Sequence, residues 1–146
     1  MKNNKGFSLL ELLIVVAIIL IIATIAIPSL LRSRQAANES AAVANLRTIN
    51  TAEVTYLSSA GGAFGGITNL VTAGLIDSRF NGSVSGYDYV VTVVTGDYTA
   101  MATPTATNSG RYGYYSTPDG VVRYQTATST ACNPCFPAGQ GGNPVQ

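Results

Sequence analysis

The sequence predicts an α+β protein in which one long N-terminal helix packs on a four-stranded antiparallel sheet. Three observations predict it. Residues 9–31 form a nearly unbroken apolar run, residues 36–57 repeat apolar side chains at helical spacing, and residues 87–126 hold four short segments rich in aromatic and β-branched residues. A chain of 146 residues has room for one apolar core and an appendage.

The apolar run comes first. Among its residues the only polar side chains are Glu11, Thr24 and Ser29. As a helix rising about 1.5 Å per residue it would extend roughly 34 Å, enough to cross a hydrocarbon core of about 30 Å. Helix is the one spanning form open to a lone segment, because lipid offers no partners to backbone N–H and C=O groups. No polar face divides the run, so it is not a surface amphipathic helix.

Its flanks are unusual. The basic leader, residues 1–5, ends at Gly6, and the run follows with no small-residue cleavage site beyond it, unlike a secretory signal peptide. Composition alone is compatible with an uncleaved single-span anchor. Two residues point elsewhere. Glu11 stands one turn inside the apolar helix, where a carboxylate at the membrane centre would cost about 2.5–3.5 kcal/mol, less near the interface. Pro28 removes one backbone hydrogen bond and crowds the preceding turn, so it is expected to kink or locally melt the helix.

The residues Lys5-Gly6-Phe7-Ser8-Leu9-Leu10-Glu11 and the following apolar run resemble the prepilin cleavage and methylation motif of type IV pilins and type II secretion pseudopilins. The resemblance implies that a prepilin peptidase cuts between Gly6 and Phe7 on the cytoplasmic side and N-methylates Phe7. It implies that Glu11 neutralises the N-terminal amine of an adjacent subunit, and that Pro28 marks where the helix unwinds during packing. The physics of the pairing is sound, since an unpaired carboxylate and an unpaired ammonium in a water-free core each carry a large desolvation penalty. Cleavage would remove Lys2 and Lys5, leaving six basic against seven acidic side chains. The basic leader fits a cytoplasmic N-terminus, although Arg32 and Arg34 on the far side weaken that bias.

Beyond the run the helix is expected to continue. Ala42, Leu46, Ile49, Ala52 and Tyr56 form one apolar stripe, and Glu39, Arg47 and Glu53 are expected on the opposite, solvated face. Gly61-Gly62 is a stop signal. Residues 61–66 read as a joint, 67–76 as a short helix and 78–86 as a loop. The strands are expected at 87–94, 98–103, 112–116 and 121–126, with turns at Thr95-Gly96-Asp97 and Thr117-Pro118-Asp119-Gly120. Pro104 halts the second strand, and the hairpin order favours a meander. This order resembles the globular head of short type IV pilins.

The expected organisation is therefore a leader at 1–6, a membrane-spanning or filament-core helix at 7–31, its amphipathic continuation at 32–60, a globular head at 61–131 and an irregular tail at 132–146. Cys132 and Cys135 fall in that tail. The surface delivery implied by the resemblance favours a disulfide between them, closing a very small loop that stabilises little. A thioredoxin-type redox pair would need a βαβ setting, zinc would need two further ligands in a chain without histidine, and Phe136 in place of histidine rules out covalent haem attachment. The disulfide loop of larger pilins is longer, so its adhesive role is not carried over. Asn38 and Asn81 match the N-glycosylation pattern, a weak signal.

The residue types expected of an enzyme do not converge. No nucleophile–base pair, phosphate loop or metal cluster appears, no cofactor is implied, and the scattered charges form no stripe for nucleic acid. The reading is a structural subunit that polymerises with copies of itself into a helical filament for adhesion, motility or DNA uptake. Its implied partners are prepilin peptidase, the pilus assembly machinery and, before assembly, the bacterial inner membrane. The alternative within the resemblance is a secretion-system pseudopilin. Asp77, Asp88, Asp97 and Asp119 are too dispersed to suggest the calcium site such heads often carry. A plain membrane-anchored surface domain is the third reading.

Overall fold

A computed structural model describes residues 7–126 and 142–145. The chain divides into two compact units at Arg34–Gln35. The first holds the beginning of α1 (Leu9–Ser59), and the second holds its remainder and the head.

In the first unit the helix runs through Pro28 without interruption. Pro28 has no N–H, so the Thr24 carbonyl lacks its usual amide donor four residues on. Seventeen large apolar side chains between Phe7 and Leu31 are exposed. Each is worth about 1.5–3 kcal/mol on burial, so leaving them all in water forgoes several tens of kcal/mol. Membrane, or other copies of the helix, must cover this surface.

In the second unit, Ala42, Leu46, Ile49 and Ala52 of α1 are buried against the inner face of the sheet, and Tyr56 packs at the margin. The helix ends where the glycine pair predicts. Gly61 adopts φ +71°, and Gly62 N–H donates back to Leu57 O at 3.0 Å, the six-to-one bond of a Schellman cap. A short α2 (Ile67–Thr72) and a 3₁₀ turn (Ser78–Asn81) follow, burying Leu70 and Phe80 in the same core.

Among the described residues the sheet has six strands, two more than expected, in meander order: β1 (Ser83–Val84), β2 (Tyr87–Val94), β3 (Asp97–Pro104), β4 (Tyr112–Ser116), β5 (Val122–Thr126) and β6 (Asn143–Pro144). The four long strands lie within a residue of expectation. The additions are two-residue edges: β1 within the stretch read as loop, and β6 near the C-terminus, pairing Arg123↔Pro144 and Tyr124↔Asn143. Pro144 is tolerated there because an edge strand need not donate outward. Pro104 is the last residue of β3, and pairing with β4 stops earlier, at Ala102↔Tyr114.

Alternation sorts the sheet's faces. Tyr87, Tyr89, Tyr98, Ala100, Ala102, Tyr114 and Val122 enter the core. The alanines offer small surfaces opposite the helix, and the tyrosines fill the space around them. Their hydroxyls find partners: Tyr87 donates to Tyr112 O at 2.8 Å, and Tyr98 donates to Asn50 Oδ1 at 3.0 Å, whose amide donates to Ser116 Oγ at 2.7 Å.

One expectation about α1 is corrected. Glu39 and Glu53 are not on a solvated face; both are buried, while Arg47 is exposed as expected. Glu39 accepts from Arg111 three times, from its backbone N–H at 2.8 Å, Nε at 3.1 Å and Nη2 at 2.9 Å. Burial pushes the Glu39 carboxyl up, and the Arg111 bonds more than reverse this, holding it below its usual 4.5. With Gln35 donating to Thr107 O and Asn38 to Ser109 O, one polar face of α1 holds the loop between β3 and β4.

Candidate assembly site

The site of interest is the start of α1. Phe7 precedes the helix with its ring exposed, and Gly6 lies outside the described residues. Ser8 is the N-cap. Its hydroxyl accepts from Leu10 N–H at 3.3 Å, and the Glu11 carboxylate reaches back to accept from Ser8 N–H at 3.0 Å. This reciprocal pair is a variant of the capping box in which the Ser8 hydroxyl takes the second helical amide rather than the third, and it satisfies two of the orphan amides of the first turn. Glu11 also sits at the positive end of the helix dipole.

The geometry gives Glu11 two properties at once. Its carboxylate is aimed toward the chain start, one residue from the Phe7 nitrogen that a cut after Gly6 would turn into an ammonium. One carboxylate oxygen is used by Ser8 N–H, and a carboxylate has capacity for several more donors. Ser8 is the residue that motif reading left without a role, although Ser-x-x-Glu before an apolar run is itself a legible helix-start signal.

The remaining candidates separate from this site. Pro28 lies within the helix, far along the sequence from the cap. Cys132 and Cys135 lie outside the described residues. The four aspartates are spent on local structure: Asp77 accepts from Arg79 N–H, Asp88 from Ser83 Oγ, and Asp97 from Tyr98 N–H. Asp119 accepts from Val121 N–H, Thr117 Oγ1 and Arg123, which together shape the β4–β5 turn. Among the described residues no group of three or more His, Cys, Asp or Glu side chains could hold a metal ion. Asn38 is half-buried with its amide committed to Ser109 O, whereas Asn81 is exposed.

Residues 1–27 match the prokaryotic N-terminal methylation motif. Over 132 residues the chain is 32% identical to the type IV wide pilus major component PilA4 of Thermus thermophilus, covering 90% of this chain and 95% of that protein. The chain belongs to the type IV pilin family. It is also 45% identical over 56 residues to the type IV major pilin protein PilA of Myxococcus xanthus, a match covering 38% of this chain and 26% of that protein. No solved structure matches it. As a type IV pilin it is a structural protein rather than an enzyme, and the long helix on an antiparallel sheet is the pilin fold.

Proposed function

We propose that this pilin is the repeating subunit of a type IV pilus, held together by the apolar half of α1 and set in register by Glu11. The observation that carries the reading is the uncovered helix surface from Phe7 to Leu31, headed by a single carboxylate. In the inner membrane lipid covers it. In a filament, neighbouring copies cover it, and the methylated Phe7 ammonium of an adjacent subunit joins Ser8 N–H as a partner of Glu11. Prepilin peptidase would expose that ammonium by cutting after Gly6, and the assembly machinery would then draw the subunit from membrane to cell surface. Unwinding at Pro28, where one helical hydrogen bond is already missing, would let the helices pack closely. Both relatives are named as pilins, and no observation favours a secretion-system pseudopilin. Adhesion, motility and DNA uptake are the roles open to such a filament.

Substitution at Glu11 tests the pairing. Glu11→Ala is expected to insert into the membrane normally and to lower the yield of sheared filaments by about tenfold or more, since it leaves an ammonium unpaired in an apolar core. Filament yield equal to wild type would contradict it.

A further inference from the structure

Among the described residues of the head, Glu53 is a fully buried carboxyl that takes part in no ion pair. Its Oε2 accepts from Gly65 N–H at 3.0 Å, while its Oε1 has no hydrogen-bond partner among the described residues. The two ion pairs among the described residues, Glu39–Arg111 and Asp119–Arg123, do not involve it. Burial and the Gly65 bond are what act on its carboxyl, with no charged side chain among the described residues contributing. Tyr98 of β3 is close enough for the Glu53 charge to act on it, and Asp97 and Asp119 act on the same tyrosine. Tyr56 lies one turn on along α1, and Asn69 of α2 reaches that tyrosine's hydroxyl at 3.4 Å. A carboxylate at Glu53 would thus be a buried charge with one backbone donor; a neutral carboxyl keeps that donor without the charge.

The segment it holds is short and tightly fitted. Gly65 has no room for a side chain, since a Cβ there would lie 2.8 Å from the Tyr56 ring. Phe64 beside it packs on Tyr98 with ring centroids 4.8 Å apart. Gly62 is tied back by its N–H to Leu57 O and Gly66 by its carbonyl to Asn69 and Leu70 N–H, and between them residues 63–65 rest on one aromatic contact, one close glycine approach and the Glu53 bond.

We propose that Glu53 is a proton-dependent latch for the α1–α2 connection: as a neutral carboxyl it stays in the core and holds Gly65, and on ionising it leaves for water and frees residues 63–65 between their backbone-tied ends. Burial pushes the Glu53 carboxyl up from its usual 4.5, against a smaller opposing effect of the Gly65 bond. The sign follows directly. The folded state holds this proton more tightly than the unfolded chain, so the latch is complete below pH 4.5 and loosens as pH rises through the raised value. The head would then present a different surface around Phe64 at pH above that raised value, whatever the filament binds.

Hydrogen exchange of the full-length subunit in detergent micelles tests this, comparing about pH 5 with about pH 9 after correction for intrinsic exchange. In wild type, protection of Gly65 is expected to fall about tenfold or more on raising the pH, while amides of β2 and β3 hold steady. Glu53→Gln keeps the acceptor without the charge and should stay protected at both pH values. Pilin assembly plays no part in this readout, so its outcome is independent of the filament reading. Protection at Gly65 that does not change with pH in wild type, or a Glu53→Gln variant that loses protection in parallel with wild type, would overturn the proposal.

Discussion

At the scale of single residues, the aspartates of this pilin are placed by near neighbours, whereas the burial of Glu39 is decided by a partner distant in sequence. Glu39 is stable as a carboxylate in a buried position because Arg111, 72 residues away, supplies three donors. Its carboxyl titrates below its usual 4.5, so this contribution is present above that value and is lost as pH falls through the lowered one. Glu39→Gln is expected to lower the melting temperature at neutral pH and to flatten its decline in acid, as thermal unfolding followed by circular dichroism would show. An acid limb unchanged in the variant would rule out this pair as its source. Helical spacing in fact puts Glu39 three residues before Ala42 and Glu53 four after Ile49, on the buried stripe itself, so placing them in solvent went by their charge alone, which cannot see a partner on another element. Ser8 differs: its capping role was legible, since both members of the box lie within four residues. Ser8→Ala is expected to cost about 0.5–2 kcal/mol of helix stability at the start of α1, readable as faster amide exchange at Leu10.

At the scale of elements, packing separates the two faces of α1 beyond Gln35. Leu46 is fully buried and Val54 is 62% exposed. Leu46→Ala is expected to destabilise the head by about 2–5 kcal/mol, and Val54→Ala to stay within about 0.5 kcal/mol, measured by denaturant unfolding in micelles. Comparable effects from the two would refute the assigned stripe. Gly110 makes a second test. A Cβ there would collide with the Tyr87 hydroxyl, which is held by Tyr112 O, so Gly110→Ala is expected to cost about 1–3 kcal/mol through displacement of that ring. The four long strands were legible because five to eight residues of alternation and strong turn residues bounded each one. The edges β1 and β6 were not, because two residues carry no period and their pairing is set by strands already in place. The apolar stripe was legible as far as Ala52; that Phe64 and Phe80 would complete the core was not, since both come from irregular or 3₁₀ segments.

For the whole molecule, the two units impose different requirements. The unit from Gln35 onward buries its own core, whereas the helix before it buries none of its large apolar side chains. In the proposed assembly such a subunit would pass from one apolar surrounding to another, and Glu11 would make that passage already holding one backbone donor. The exposed apolar helix was legible from composition, and the pilin family from the motif around Gly6 and Phe7. What the finished filament contacts depends on surface detail that no local pattern encodes. Mass spectrometry of sheared surface filaments tests the assembly reading most directly: it predicts an abundant subunit beginning at N-methylated Phe7, and recovery of the chain only from membranes, with residues 1–6 still attached, would contradict it.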